Sequence, residues 1–510
     1  MQALRKPLVC AGAAWLLLVS KLVLHLQADP DLFARVAVGR IVASSGRVAY
    51  ADPFSYTAGG APWVDHEWLS GLIFYSLTQL GGDSALVTFK LAVLGGFLLL
   101  LAKASYVRNP RRALCGFACT TFFTYYIWYS TVRCQIFTYL FLAAYFHIFA
   151  LSRERLSTFH SVTLIALMLA WSNLHGGFVL GIAFLGLFSA VRFIEERQEG
   201  MKLSCVLVAC SSVTLINPYG WAYWSYIFHA LLMKREFISE WGAVPLGSPV
   251  GILLTTLFLA DTLPLLHRPK QHLLELSFLA ASYAMGLSHL RLSAVLFIVS
   301  AVWGAPFAFL ERLSLKRNIP SIVALGEVAC YFAALFCGAR AAKTLMQDTP
   351  FQLNYDAFPL GPANFLAQSG RRGNLLCGLN EGSFLLWRLY PSFRVSLDGR
   401  YEEVYDNRTV ERVRCSLDPG CDAEMDNQAD YVLLSSGALE QPSFLRRFGA
   451  AQTVYRDSRW AVIEIERHNS APREQAQRTD PANKQSGRTK ESGASIWTPS
   501  WAVTNEMVND

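Results

Sequence analysis

Long apolar runs separated by short polar joints occupy the first two thirds of the chain. About eleven of these runs approach the length that a bilayer-spanning helix needs, which is roughly 20 residues. They lie around residues 8–26, 84–106, 113–131, 137–152, 157–172, 176–194, 202–216, 249–266, 272–288, 291–310 and 320–342. The pattern predicts a polytopic α-helical membrane protein.

The charges of the joints predict how the helices are oriented. If the run Pro7–Leu26 is an uncleaved first helix with a cytoplasmic N-terminus, every cytoplasmic joint is rich in Lys or Arg, as the positive-inside rule requires. These joints are at 108–112, 152–155, 192–202, 267–272 and 311–317. The assignment treats Glu67–Leu80 as a helix that lies at the interface and ends at Gly81-Gly82. The large loop 27–83 then lies on the outer face.

The overall composition agrees with the membrane class. Of 510 residues, 53% are hydrophobic and 16% are charged, which is too apolar for an ordinary soluble protein of this size. Much of the formal net charge of +7 comes from the cytoplasmic joints, so it does not indicate nucleic-acid binding. The eleven cysteines form no CxxC pair and no Cys/His cluster, which argues against a zinc site of that kind.

The last third of the chain has a different pattern. Strand-like runs begin near Asn374, Phe393, Asp430 and Trp460, and they predict a small extracytoplasmic α/β domain over residues 346–467 after a membrane domain over 1–345. Cys415 and Cys421 could form a disulfide in an oxidising compartment or remain free thiols, and the sequence does not decide between the two. The polar composition of residues 468–510 predicts a disordered tail.

Unusual polar side chains gather on the predicted outer face. Carboxylates are scarce in the rest of the membrane half, and ionisable groups held at a membrane indicate a functional site. We therefore expect distant segments to assemble one site there. The candidates are Asp29, Asp31, Arg35, Asp52, Asp65, His66 and Glu67 in the first loop, and Arg133, Gln135, Asn173, His175, Glu240, His289 and Arg291 in later joints.

Several stretches carry a resemblance to a known family. They are residues 29–71 (DPDLFARVAVGRIVASSGRVAYADPFSYTAGGAPWVDHEWLSG), RCQIFTYL (133–140), WSNLHGGFVLG (171–181), NPYGW (217–221), Glu240-Trp241 and SLDGRYEEVY (396–405). The chain resembles, over residues 8–466, a mostly uncharacterised family of large bacterial inner-membrane proteins placed in the GT-C superfamily of polyprenyl-phosphate-sugar-dependent glycosyltransferases. It departs from the family pattern at Cys134, where proline is usual, and at 380–382, where Trp-Gly-Gly is usual.

The resemblance implies a GT-C-like fold with an active site on the outer face of the inner membrane. A carboxylate of the first loop would act there on a polyprenyl-phosphate-linked sugar, which passes to an envelope glycan, lipid or protein. The implied partners are these substrates and membrane lipid. A divalent cation is left open as a cofactor, and no metal ligands are assigned.

Glycosyl transfer needs a base for the acceptor proton and positive charge for the departing phosphate. Asp31 or Asp29 is the expected base, and Asp29 is the expected cap of a helix that begins near Leu32. Asp29 and Asp31 could instead only cap the helix, or could bind a metal ion, and both alternatives stay open. Arg133 and Arg291 are the expected phosphate ligands, although each guanidinium would also suit simple snorkelling to the interface.

The remaining candidates have structural alternatives. His66 and Glu67 would assist proton transfer or orient the acceptor, or else they only begin an interfacial helix. His175 binds a ligand or supports a helix end, and His289 would assist Arg291. Glu240 is a second carboxylate or a partner of Lys234 or Arg235. The segment Asp398-Gly399-Arg400 predicts a turn with an Asp–Arg pair, or a contact to the acceptor glycan.

Two other functions compete with the enzyme. A transporter or flippase of lipid-linked sugars would be expected to show internal repeats and ionisable groups at mid-membrane. The chain has no clear repeat, and its polar residues gather at helix ends. A non-catalytic envelope scaffold would tolerate the loss of both Asp29 and Asp31.

Overall fold

The computed structural model describes residues 26–108, 132–304, 339, 352–418, 420–421, 427–441 and 451–465. Apart from Leu26 and Ala339, the predicted spans 8–26, 113–131 and 320–342 lie outside the described residues, as does the predicted tail 468–510. Each of the other eight apolar runs coincides with a helix. The pattern of apolar runs therefore located these helices correctly.

The described part of the membrane half is mainly helical, with short 3₁₀ turns at Ser239–Trp241, Pro269–His272 and Leu290–Leu292. The first helix belongs to the polar loop and was not predicted as a span. In chain order the helices are α1 Pro30–Ser45, α2 Trp68–Arg108, α3 Gln135–Leu151, α4 Thr158–Leu174, α5 Phe178–Glu195, α6 Arg197–Val213, α7 Trp221–Leu232, α8 Pro249–Thr262, α9 Leu273–Ser288 and α10 Ser293–Trp303.

Two of these helices, α2 and α5, are long and apolar enough to cross a membrane. Four other apolar segments, α3, α4, α8 and Leu290–Trp303, have 10 to 17 residues. At 1.5 Å per residue, 17 residues cover about 26 Å, which is less than the roughly 30 Å of a hydrocarbon core. Within the described residues the chain is thus largely helical with two candidate spans, fewer than the runs that we predicted.

Glycines fix how α1 meets the first part of α2. A Cβ at Gly39 would lie 2.0 Å from the carbonyl oxygen of Gly71, and a Cβ at Gly71 would lie 2.7 Å from that of Arg35. The two backbones can approach this closely only because both positions lack a side chain. Helix α2 breaks at Gly81 and Gly82, the latter at φ 57°, so the predicted end of the Glu67–Leu80 segment is confirmed.

The C-terminal part contains a five-stranded mixed sheet with strand order β2-β1-β3-β5-β4. Strand β1 pairs in parallel with β2 and β3, whereas β5 is antiparallel to β3 and β4. All four predicted strand runs are strands, and β4 was missed. The elements are α11 Leu360–Gln368, β1 Gly373–Leu376, α12 Leu379–Leu389, β2 Phe393–Val395, α13 Tyr401–Val404, α14 Asn407–Leu417, β3 Tyr431–Ser435, β4 Gln452–Arg456 and β5 Trp460–Glu464.

Helix α1 joins the two parts of the molecule through one aromatic core. The Phe33 ring stacks on Trp387 with centroids 5.3 Å apart, and it meets Phe384 and Phe358 edge-on at 5.0 and 4.9 Å. Such aromatic pairs stabilise a fold beyond the area that they bury. The α/β part therefore packs directly on the helix that begins the first loop. Cys415 and Cys421, which the sequence left open, are disulfide-bonded.

Candidate functional site

Asp29 ends the extended segment before α1 and caps that helix. Its Oδ1 accepts a hydrogen bond of 2.9 Å from the backbone N–H of Asp31, and Pro30 occupies the first helical position. Both features are typical of helix N-termini. The prediction that Asp29 is the cap is confirmed, and the helix begins two residues before the expected Leu32.

Arg133 draws Asp29, Asp31 and Glu240 into one group, which we call the rim cluster. The Arg133 Nε lies 2.6 Å from Asp29 Oδ2 and 3.7 Å from Asp31 Oδ2. Its Nη1 donates to both carboxylate oxygens of Glu240 at 3.2 and 3.1 Å. Three segments that are far apart in sequence thus meet, and all four residues of the group were sequence candidates.

The two aspartates of the rim cluster have different environments. Asp29 is 2% exposed, and its burial, together with the neighbouring Asp31 charge, raises its pKa to about 6 against the opposing effect of Arg133. The Asp31 side chain is 40% exposed. Asp31 is therefore the carboxylate of the pair that an external substrate can reach.

The α/β part closes over one side of Asp31. A Cβ at Gly399 would lie 3.0 Å from Asp31 Oδ1 and 2.9 Å from the hydroxyl of Ser383, to which the Gly399 N–H donates. Only a glycine fits this position without displacing Asp31 or Ser383. The Asp-Gly-Arg motif thus contributes a wall next to the exposed carboxylate.

A second group of cations surrounds Trp241, the residue after Glu240. The guanidinium carbons of Arg235 and Arg291 lie 3.9 and 5.4 Å from the centre of an indole ring of Trp241, and His289 meets this side chain edge-on. In the amide orientation that satisfies both groups, Gln135 accepts from Arg291 Nε at 2.6 Å. Cation–π contacts of this kind hold guanidinium planes in place. Arg291, Gln135 and His289 thus lie together, as predicted.

A buried group of charges, which we call the Arg35 cluster, consists of Arg35, Asp65, His66, Glu67 and Glu403. Arg35 Nη1 lies 2.5 Å from Asp65 Oδ1, its Nε lies 2.9 Å from Glu67 Oε2, and its Nη2 contacts Glu403 Oε1. The Arg35 side chain is 5% exposed. Three carboxylates thus enclose this guanidinium.

His66 lies between two carboxylates of the Arg35 cluster. Its Nδ1 is 3.3 Å from Glu403 Oε1 and its Nε2 is 3.6 Å from Glu67 Oε1, while the ring stacks on Tyr226. Burial by itself lowers the pKa of His66, but the carboxylates of Glu67 and Glu403 outweigh burial and raise it. For Glu403, burial is outweighed by Arg35 and His66, which lower its pKa.

The hydrogen bonds of His175 fix its tautomer. The Gly177 N–H donates to His175 Nδ1 at 2.9 Å, so Nδ1 is an acceptor and the ring proton lies on Nε2. That Nε2 is 3.4 Å from Glu67 Oε1. Burial, followed by the charges of Arg291 and His66, lowers the His175 pKa well below its usual value, so the ring is neutral. His175 and Glu67 are therefore neighbours, as expected for one site.

Asp52, a candidate for substrate binding, serves a third and fully buried group. Arg400 Nη1 lies 2.7 Å from Asp52 Oδ1, and its Nη2 lies 2.7 Å from Asp398 Oδ2. The Arg400 guanidinium contacts the rings of both Phe54 and Trp63. This Arg400 cluster, made of Asp52, Asp398 and Arg400, ties the first loop to the α/β part. The predicted Asp–Arg pair of the Asp-Gly-Arg motif is confirmed.

The Asn173 side chain is also used in packing. Its Oδ1 accepts from Trp68 Nε1 at 3.1 Å, and its Nδ2 donates to the carbonyl oxygens of Leu169 and Ile216 at 2.9 and 3.0 Å. All of its hydrogen-bonding groups have protein partners, so it positions α4 against α2 and the end of α6.

Three residues of these groups were not among the sequence candidates. Glu403 completes the Arg35 cluster, Trp63 donates to Glu403 Oε2 at 2.8 Å, and Tyr226 covers His66. Glu403 lies in the stretch 396–405 that carries the family resemblance, and Trp63 lies in the first-loop stretch. The resemblance of these two stretches to a known family was the signal in the sequence that could have pointed to Glu403 and Trp63.

The arrangement offers an accessible carboxylate, that of Asp31, beside the guanidinium of Arg133. A carboxylate of this kind can accept a proton, and guanidinium groups bind the oxygens of phosphate. The buried Arg35 cluster lies next to this surface, because Arg35 follows Asp31 by one turn of α1. No known family model matches the chain, and no curated protein is significantly similar to it.

Proposed function

We propose that the chain is a polytopic membrane glycosyltransferase of GT-C type, which moves a sugar from a polyprenyl-phosphate carrier to an acceptor of the cell envelope. The observation that carries the proposal is the exposed carboxylate of Asp31, held 3.7 Å from the Arg133 guanidinium at the start of α1. A general base and a phosphate ligand side by side are what this transfer needs.

In the proposed reaction Asp31 is the base. The acceptor hydroxyl gives its proton to an Asp31 carboxylate oxygen while its own oxygen attacks the anomeric carbon of the sugar. The bond between that carbon and the phosphate oxygen breaks, and polyprenyl phosphate leaves with the bonding electron pair. Arg133 and Arg291 stabilise the negative charge that develops on the phosphate.

Asp29 has a positioning role in this proposal. It fixes the first turn of α1 through its capping hydrogen bond and holds Arg133 Nε at 2.6 Å. Both groups that act on the substrate thus depend on one buried side chain. Small errors in such positions reduce rates strongly, because proximity and orientation account for much of catalysis.

The proposed location is the bacterial inner membrane, with the site and the α/β part on the outer side. The candidate spans α2 and α5 support a membrane location, and the basic joints on the opposite side support this orientation. A disulfide between Cys415 and Cys421 is compatible with an oxidising compartment outside the cytoplasm. The proposed topology has about eleven spans.

The test is a transfer assay with the full chain reconstituted in lipid. A panel of radiolabelled polyprenyl-phosphate sugars is offered, and release or transfer of the label is measured for the parent, Asp31→Asn and Asp29→Asn. We expect Asp31→Asn to lower the rate at least ~100-fold without changing thermal stability. Asp29→Asn should lower the rate, because it removes the charge that holds Arg133, whereas asparagine still caps the helix.

Glu411→Gln is the matched control, because it removes an exposed carboxylate on α14, away from the rim cluster. It should behave like the parent. If the parent turns over a donor and Asp31→Asn is equally active, another residue is the base. If no donor of the panel turns over and cells with Asp31→Asn keep a normal envelope, the glycosyltransferase proposal fails.

A further inference from the structure

The Arg35 cluster contains three atoms that are suited to bind a metal ion. One ring nitrogen of His66 and one oxygen each of Glu67 and Glu403 lie within 4.8 Å of one another. In a tetrahedral site with bonds of about 2.0–2.2 Å, neighbouring ligand atoms are roughly 3.3–3.6 Å apart. The 3.3 Å between His66 Nδ1 and Glu403 Oε1 falls in this range, whereas Glu67 Oε1 lies 3.6 Å from the other ring nitrogen, Nε2.

The charges of the Arg35 cluster favour a cation. The carboxylates of Asp65, Glu67 and Glu403 face a single guanidinium, that of Arg35. When all three carboxylates are ionised they outnumber this guanidinium by two, and a divalent ion that takes the place of a proton on His66 would balance them. An excess of charge in a buried place is costly unless a counter-ion neutralises it, and one divalent cation would do so.

Three buried atoms of the Arg35 cluster have no hydrogen-bond partner. They are the Nε of Arg35, the Nδ1 of His66 and the Oδ2 of Asp65, whose side chain is 1% exposed. Buried polar groups in folded proteins are nearly always satisfied, so each such atom calls for an explanation. His66 Nδ1 faces Glu403 Oε1, which Arg35 Nη2 also contacts, and a metal ion between these two atoms would give the imidazole nitrogen a partner.

The neighbours of the three ligand atoms hold them in position. Trp63 Nε1 donates to Glu403 Oε2, which leaves Oε1 directed towards His66 and Arg35. Arg35 Nε lies 2.9 Å from Glu67 Oε2, while Glu67 Oε1 is the oxygen nearer to His66. Partners that orient metal ligands in this way are a regular feature of metal sites.

We propose that His66, Glu67 and Glu403 form a binding site for one divalent transition-metal ion such as Zn²⁺ or Mn²⁺. One imidazole nitrogen with carboxylate oxygens suits these ions. Asp65 and Arg35 remain as charged neighbours of the ion. The proposal does not depend on the glycosyltransferase proposal, because it concerns binding and is tested without any sugar donor.

The test measures metal binding by the full chain in detergent after treatment with EDTA. Zn²⁺ or Mn²⁺ is added, the excess is removed, and bound metal is counted by inductively coupled plasma mass spectrometry, with affinity measured by calorimetry. We expect about one ion per chain in the parent. His66→Gln and Glu403→Gln should each weaken binding ~100-fold or more, because each removes a direct ligand.

Glu402→Gln is the matched control. Glu402 is the neighbour of Glu403 in the chain, but its carboxylate lies 3.6 Å from Arg235 Nε, in a different group. The control should bind metal as the parent does. Binding by the parent of much less than one ion per chain, or equal binding by the parent and His66→Gln, would overturn the proposal.

A spectroscopic measurement on the parent covers the case in which the variants fail to fold. Electron spin-echo modulation of bound Mn²⁺ detects a directly coordinated imidazole nitrogen. We expect such a nitrogen coupling in the parent. Stoichiometric Mn²⁺ without any nitrogen coupling would also contradict a site that contains His66.

Discussion

The Arg400 cluster and the rim cluster are built from the same parts but differ in exposure. In each, an arginine lies between carboxylates that come from distant segments. Arg400 and its partners Asp52 and Asp398 have fully buried side chains. The Arg133 side chain is 23% exposed, and those of Asp31 and Glu240 are 40% and 29% exposed.

The difference separates a structural ion pair from a candidate site. Both carboxylates around Arg400 are engaged by its guanidinium, which also contacts two aromatic rings. The rim cluster leaves a carboxylate and part of a guanidinium open to solvent. Charges that are enclosed and paired with one another, as around Arg400, hold the fold together, whereas partly open charges can also bind and act on a substrate.

The largest expected effect is on the stability of Arg400→Gln. The substitution leaves the buried carboxylates of Asp52 and Asp398 without their cation, so the free energy of unfolding should fall by about 3–5 kcal/mol. Chemical unfolding in detergent measures it. The control Arg408→Gln changes an exposed arginine and should stay within about 0.5 kcal/mol of the parent. Equal stability of the two variants would remove the contrast between the clusters.

The next effect is a dependence of stability on pH that comes from Asp29, which faces Asp31 and Arg133. Its folded-state pKa of about 6 lies above the ordinary 3.8, so the folded chain holds the proton more tightly than the unfolded chain does. Stability from this group is therefore complete below about pH 4 and is lost as the pH rises to about 6, by about 3 kcal/mol.

Unfolding curves of the parent and Asp29→Asn between pH 4 and 8 measure this effect. Other carboxylates titrate in both proteins, so the difference between the two curves isolates Asp29. We expect the stability of the parent to fall, relative to that of Asp29→Asn, as the pH rises. Parallel curves would show that Asp29 titrates normally and that the rim cluster does not bury it.

A smaller effect is expected for Arg133→Lys. A lysine keeps the charge but presents a single nitrogen, so it cannot reach Asp29 and Glu240 at once or bind phosphate with paired hydrogen bonds. We expect kcat/KM for the lipid-linked donor to fall by about 10- to 100-fold, or about 1.4–2.7 kcal/mol, with a higher KM and a lower kcat. Arg47→Lys, on an exposed arginine, is the control. An unchanged KM in Arg133→Lys would argue against phosphate binding there.

The smallest effect is expected for Glu240→Gln. Its contact with Arg133 is partly exposed, and ion pairs of this kind contribute less than about 1 kcal/mol. Thermal unfolding should therefore move little compared with Arg400→Gln. A loss as large as that of Arg400→Gln would show that the rim cluster is as structural as the buried one.

The sequence by itself determined the local features of this protein. The apolar runs located the eight described helices that they predicted, Gly81 and Gly82 ended a helix, and Asp29 capped another. Each feature depends on residues within a few positions of one another. Periodicity, capping and backbone freedom act over that short range, so they can be read without knowing the fold.

The tertiary structure decided which charges meet and which are buried. The sequence pointed to Asp52 and Arg35 as substrate ligands. In the structure Asp52 pairs with Arg400, and three carboxylates enclose Arg35. Glu403 was missed because its partner Arg35 lies 368 positions away. Burial and long-range pairing depend on how helices and sheet pack together, and spacing along the chain carries no information about either.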